Sequence, residues 1–442
     1  MDNEWLEQSA ADLGRGIDRG EIDPVELTQT FLRAIETHEL GGKVYARTTP
    51  DRALAEAEAA KIRANQGIRL SPLDGVPISW KDLFDTAGVA TEAGSKMLEG
   101  RVPDQDALVL QNANAAGLVC LGKTHMTELA FSGLGLNPVT ETPPCVNDGQ
   151  AVPGGSSSGA GASVAYGLAA AAVGSDTGGS VRIPSVWNDL VGLKTTSGLI
   201  SLDGVVPLAA SLDTVGPLCR TVEDCALMLS AFLGRTPGDL TGATLKGQRF
   251  LVLENGLDGA RAEPLAGFSN ALERIEAAGA VTEHRSLPCV EAALDLAGIL
   301  MGTETYATWA PIIEAGEDKM FFQVRERFLA GKTTLGYEYV QALQELDRLR
   351  GEWTRAVAGY DAVILPTSLI LPPNIERLLT DNDYYVSENL LSVRNTKIGN
   401  LLGLSSLTIP TGVPSTGIMF FTPPLAESRL LRIGAAAEAA LA

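Results

Sequence analysis

Apolar and polar positions along this chain follow two periods. Between residues 4 and 66 the spacing is helical. Asp23-Pro24-Val25-Glu26 supplies an N-cap acid, a proline at the first helical position and a glutamate at the third, and Leu27, Phe31 and Ile35 then recur every four residues. Residues 76–80, VPISW, form a short apolar run that stops at Lys81, and residues 118–122 form a second that stops before Lys123; both predict buried strands. Further along, strands are expected at 248–253 and 361–365, a helix at 263–278 and an amphipathic helix at 427–441. Such alternation predicts an α/β protein whose sheet is covered on both faces.

The low-complexity centre, residues 153–180, reads PGGSSSGAGASVAYGLAAAAVGSDTGGS. A Gly/Ser loop opens a small-residue helix over 159–168, a short buried strand follows at 169–174, and 176–180 turns again. Small side chains let this helix sit close to its neighbours, and a glycine-rich loop lies at each end of it. Residues 300–390 carry 11 of the 24 aromatics. They serve either as the core of a helical section or as the lining of a substrate pocket.

Composition narrows the function. With 34 Lys+Arg against 54 Asp+Glu the net charge is -20, which repels phosphate backbones and anionic membranes, so neither nucleic acid nor membrane is expected as a partner. Hydrophobic residues at 45% and charged ones at 20% describe a globular chain. At 442 residues a three-domain prior applies, but large α/β enzymes run longer as one unit. The acidic start Met1-Asp2-Asn3-Glu4 lacks the layout of a signal peptide, and no apolar stretch approaches the ~20 residues of a membrane span. Five cysteines without CxxC spacing read as free thiols, and a cytoplasmic location is expected. The 47 glycines exceed the usual ~7% and point to glycine-built loops.

Several chemistries fail on these loops. Gly154 and Gly159 have P-loop spacing, but Ala160 stands where the lysine belongs; Val164 occupies the third glycine position of a dinucleotide motif. No HExxH or His/Cys cluster suggests a metal, so no cofactor is expected. Gly155-Ser156-Ser157-Ser158-Gly159 fits GxSxG and makes Ser157 a candidate nucleophile of a His-dependent hydrolase. Its triad needs a later histidine, and His284 is the one available; His38 and His125 come too early for that chain order. If no histidine assists, a serine nucleophile needs an amine kept neutral by burial. Lys81, Lys123 and Lys194 all follow apolar segments, and spacing does not choose among them.

Residues 154–185, GGSSSGAGASVAYGLAAAAVGSDTGGSVRIPS, resemble the signature of the amidase signature family. LDGVPISWKDLFDTAGVATEAGS and LVCLGKTHMTELAFS upstream, and LVGLKTTSGLIS, SLDTVGPLCRTVED and NLLGLSSLTIPTG downstream, extend the resemblance over nearly the whole chain. It implies one large domain over 1–442 with a central mixed β-sheet: an N-terminal helical segment at 1–66, a core with the catalytic loops at 67–230, and a variable helical, substrate-covering section at 300–390. It also implies Ser180 as nucleophile, Ser156 on a cis peptide bond as bridge, Lys81 as base, and the backbone amides of Thr177, Gly178, Gly179 and Ser180 as oxyanion donors. Ser157 would support them from behind, and Arg182 would form a buried ion pair with Asp176 that holds the loop. Ser158 in place of a glycine, His125 in place of an asparagine, Thr195-Thr196 after Lys194 and a short stretch after Pro410 depart from the family pattern; none removes a triad member.

The activity implied is hydrolysis of a non-peptide C–N bond in a small-molecule amide, aryl amide, carbamate or urea. Two alternatives are a glutaminase-like A subunit of a tRNA-dependent amidotransferase and a catalytically silent binding protein. A homodimer is left open. Bringing a lysine from about 10.4 to near 7 requires roughly 4–5 kcal/mol of destabilisation of its cation, and the acidic field of the protein opposes it, so local desolvation must win.

Overall fold

The short apolar runs become strands of one sheet in the computed structural model, which describes residues 4–442; the start of the acidic segment, Met1-Asp2-Asn3, lies outside the described residues. The strands are β1 (Tyr45–Thr48), β2 (Pro77–Lys81), β3 (Val119–Thr124), β4 (Ala171–Asp176), β5 (Val191–Lys194), β6 (Thr214–Cys219), β7 (Arg249–Leu253), β8 (Val281–Arg285), β9 (Ala362–Pro366), β10 (Ser405–Pro410) and β11 (Gly417–Thr422). Their spatial order is β1-β3-β2-β4-β6-β5-β10-β11-β9-β7-β8. The sheet is mixed: β2 is parallel to β3 and β4, β7 is parallel to β8 and β9, and the other pairs are antiparallel. Every residue of β2, β3, β4, β5, β6, β9 and β11 is buried. That requires cover on both sides, and fifteen α-helices flank the sheet among the described residues.

Local chemistry explains the helix ends. Asp23 caps Pro24–Thr37 by accepting from the amides of Val25 and Glu26. The small-residue helix is Ser158–Ala165, shorter than its sequence suggests because Gly167 takes a φ of 70° just beyond it. Tyr45–Thr48, expected to be helical, is instead the edge strand β1 on β3. Four residues, YART, are too few to display a period of two. β3 also continues through Lys123 to Thr124.

Section 300–390 is not helical throughout, since β9 lies within it and pairs with β11 and β7. Its aromatics divide between the two roles. Trp309, Phe328 and Trp353 are buried core, while Phe322 and Tyr385 line a cavity. Behind β2, Trp80 packs on Phe84 and Phe232 at ring-centroid distances of 5.4 and 6.4 Å, each such buried side chain contributing about 2–3 kcal/mol. Alternation along β2 puts Lys81 on the opposite face from Trp80. The five cysteines are unpaired and buried, and among the described residues no helix is long and apolar enough to cross a membrane.

Candidate active site

β2 and β4 run parallel with Trp80 opposite Val173, so the ends of both strands reach one edge of the sheet. Lys81 Nζ donates there to Ser175 Oγ and to Ser156 Oγ, each at 2.8 Å. Ser156 comes from the loop before helix Ser158–Ala165, and its peptide bond to Gly155 is cis. The Gly155 amide donates to Gly133 O at 2.8 Å, and the Thr127 amide donates to Ser156 O at 3.0 Å. A Cβ on Gly155 would stand 2.5 Å from Gly135 N, so only glycine fits this crossing. The Ser157 amide donates to Ser180 O at 3.3 Å and ties this loop to the next. Among the described residues no hydrogen bond joins the Ser156 and Ser180 hydroxyls. Lys81 and Ser156 are wholly buried, whereas Ser180 is 7% exposed.

The loop after β4 is organised by Asp176. Its carboxylate accepts the Gly179 amide at 2.8 Å, the Val181 amide at 3.1 Å, Arg182 Nε at 3.0 Å, Arg182 Nη2 at 2.8 Å and Asn400 Nδ2 at 3.0 Å. Asp176 and Arg182 form the buried ion pair expected. Burial alone would raise the Asp176 pKa, but the Arg182 charge and hydrogen bond, with Lys194 and Asn400 added, hold it well below the usual carboxylate range. Thr396 Oγ1 donates to Gly178 O at 2.6 Å, and the Thr177 hydroxyl donates to Asp213. One expectation changes: the Gly179 amide is turned to Asp176 and is not a free oxyanion donor. The amides of Thr177, Gly178 and Ser180 have no acceptor among the described residues.

All three candidate lysines are buried, and their partners separate them. Burial lowers the Lys81 pKa to about 7 against the pull of Asp176 and Asp213. Lys194 is likewise lowered to about 7, by burial and then by Arg182, but its amine donates to Thr195 O at 2.8 Å. Lys123 faces Asp82 at 3.3 Å and Thr91 Oγ1 at 2.9 Å. Ser157 is buried with its hydroxyl donating to Ser175 O at 3.3 Å. His284 lies exposed on the edge strand β8, and six strands separate β8 from β4, which puts it about 30 Å from Ser157. The Ser157–His284 pairing is therefore not formed.

Four residues that sequence reasoning missed complete the surroundings: Ser175, Asp213, Thr396 and Asn400. Asn389, Ser392, Thr396 and Asn400 recur at spacing three to four along helix Asn382–Leu401 and are buried, so a polar stripe at helical period was the available signal. A cavity of about 650 Å³ opens beside this loop. Two of its lining residues adjoin Gly178, where an added Cβ would lie 3.4 Å from Lys397 Cγ and 3.6 Å from Met301 Cε. No group of three His, Cys, Asp or Glu side chains is arranged to hold a metal among the described residues.

Known proteins share this architecture along their whole length. The chain is 33% identical over 470 residues to the A subunit of the glutamyl-tRNA(Gln) amidotransferase of Anaeromyxobacter sp. (strain K), covering 96% of this chain and 94% of the relative. It is 34% identical over 443 residues to a 2-amino-5-chloromuconic acid deaminase of Comamonas testosteroni, covering 98% and 96%. A crystal structure of an amidase superposes with a TM-score of 0.89 at 28% identity, covering 98% of this chain and all of that one. The model of the amidase family matches residues 26–431. With both sequence and fold matched over that span, the chain belongs to the amidase family, hydrolases of carbon–nitrogen bonds other than peptide bonds.

Proposed function

We propose that the chain hydrolyses the C–N bond of a small-molecule amide through an acyl-enzyme on Ser180. Neutral Lys81 takes the Ser180 proton by way of Ser156 while Ser180 Oγ bonds to the carbonyl carbon. The amides of Gly178 and Ser180 donate to the oxyanion as it forms. The relayed proton passes to the nitrogen as the C–N bond breaks and the amine leaves. Water then adds to the acyl ester by the same relay, releasing the carboxylic acid and restoring Ser180.

The observation that carries this reading is the 2.8 Å hydrogen bond from Lys81 Nζ to Ser156 Oγ, made by a buried amine whose pKa is lowered to about 7. The Ser156–Ser180 contact is expected to close when substrate seats, as catalytic hydrogen bonds often tighten only in the complex. Ser180→Ala should abolish both turnover and labelling by a fluorophosphonate, and His284→Ala should leave both intact. Labelling retained in Ser180→Ala would end the proposal; a wild-type chain that neither labels nor turns over would leave a binding protein.

A second reading is favoured by the 33% identity to the A subunit of an amidotransferase: a glutaminase that works only within a complex. Copurification with further subunits of such a complex, and activity on glutamine alone, would establish it. The lone enzyme is preferred because a net charge of -20 offers no evident surface for tRNA.

A further inference from the structure

Acids outnumber bases by 20 in this chain; of its fully buried cations, Arg182 is paired with Asp176 and Lys123 with Asp82, while Lys81 and Lys194 donate to hydroxyl or carbonyl oxygens. Arg327 and Lys397, both half-buried, have neither kind of partner among the described residues. Both line the cavity beside Gly178. The Arg327 guanidinium lies over the Phe131 ring, 4.4 Å from its centroid, and its Nη1 is buried without a hydrogen-bond partner. Lys397 runs its stem past Gly178 and makes no hydrogen bond or ion pair among the described residues. Burial and then the Arg327 charge lower its pKa to about 8. The Tyr385 hydroxyl, on the same cavity wall, is also buried without a partner. The one carboxylate on the lining is Glu326, half-exposed and 3.6 Å from Arg325.

Two cations sharing a desolvated space repel each other, and burial disfavours both charges. An anion between them reverses the sign of each effect and uses the idle donors, since charge-assisted hydrogen bonds to carboxylates are the strong ones. Among the described residues nothing supplies that anion. Apolar side chains make up much of the rest of the lining, with Leu294, Ala297 and Met301 inside and Phe322, Val386 and Leu390 exposed around it, beside the amides of Gln323, Asn382 and Asn389. This suits a hydrocarbon spacer. An ammonium group on the ligand would meet two cations and no free carboxylate.

We propose that Arg327 and Lys397 form a subsite for a carboxylate carried by the substrate, so that the enzyme acts on amides of acids that keep a second, free carboxylate and carry no ammonium beside it. The assignment rests on the Ser180 reading, because Gly178 connects the cavity to that loop.

The test compares succinamate, glutaramate and adipamate with neutral primary amides of matched length such as hexanamide, and separately titrates adipate and glutarate into Ser180→Ala by calorimetry. The best carboxylated amide should exceed its neutral counterpart in kcat/KM by about 10- to 100-fold. Arg327→Gln and Lys397→Met should each collapse that ratio and weaken dicarboxylate binding, with Arg327→Lys and Lys397→Arg, which keep the charge, restoring part of both. Glutaramate should be preferred to glutamine. Equal turnover of charged and neutral amides together with no dicarboxylate binding would overturn the subsite and leave the Ser180 chemistry standing. Dicarboxylate binding in a Ser180→Ala protein that still turns over would sink the catalytic reading and keep the subsite. Glutamine turned over as well as glutaramate would remove the exclusion of ammonium.

Discussion

The Gly179 amide donates to Asp176 Oδ1 at 2.8 Å, and the same carboxylate is gripped by Arg182 through Nε and Nη2. One buried acid thus sets the path of the nucleophile loop and the direction of its amides. Asp176→Asn would leave Arg182 buried and uncompensated. It should cost about 3–5 kcal/mol of stability and lower turnover by about 100-fold or more through misplaced amides. Denaturant unfolding and steady-state kinetics check both, and wild-type values for either would contradict this role.

The pH dependence follows from Lys81. With a pKa lowered to about 7, the amine becomes neutral as pH rises through that value, so kcat/KM should climb between about pH 6 and 8 and level off above. Lys194→Met should leave the midpoint in place, because Lys194 bonds to Thr195 O and to neither serine. The sign for stability is the same. Between about pH 7 and 10.5 the unfolded chain binds a proton at this lysine that the folded chain does not, so stability rises with pH across that window. A kcat/KM profile that is flat or falls from neutral to alkaline pH would rule out the neutral-lysine base.

Adjacent glycines should respond differently to the same substitution. Gly179 has a φ of 137°, and a Cβ there would stand 2.2 Å from Thr396 Oγ1, so Gly179→Ala should displace the loop and cost about 100-fold in activity or more. A Cβ on Gly178 meets Lys397 and Met301 only at ordinary contact distance, 3.4 and 3.6 Å. Gly178→Ala should fold with an unchanged unfolding midpoint and a narrower cavity, seen as a higher KM for bulky amides. Equal damage from both would show that the loop is not held as described.

Lys81, Ser156, Ser180 and the Asp176–Arg182 pair were legible as candidates through the family resemblance of the contiguous motifs that hold them, and not through residue types or spacing alone. The direction of one amide was not. The spacing Asp176 to Gly179 permits a local side-chain-to-backbone bond, yet a run of small residues gives no sign of which N–H turns inward. Ser175 was hidden as a lone hydroxyl in an apolar strand. Thr396 and Asn400 were hidden by distance, since they reach the loop from more than 200 positions away in the sequence. Among the lysines, burial was readable for all three, but residue pattern alone did not separate them; the contact that sets Lys81 apart depends on the parallel register of β2 and β4, which follows from tertiary packing. β1 was missed because its extension depends on the edge of β3 and not on its own four residues.

The sheet order also dictates a timetable. β10 and β11, the last of the described strands in chain order, stand between β5 and β9 and are, among the described residues, the only bridge within the sheet from β1–β6 to β7–β9. Until residue 422 leaves the ribosome, β5 and β9 each keep an open edge, the kind of surface on which nascent chains pair wrongly. Asn400 and Thr396, which brace the nucleophile loop, arrive just ahead of that bridge. The loop is therefore braced only as the bridging strands emerge, and the chain short of them is at its most aggregation-prone while it is still unable to act on an amide.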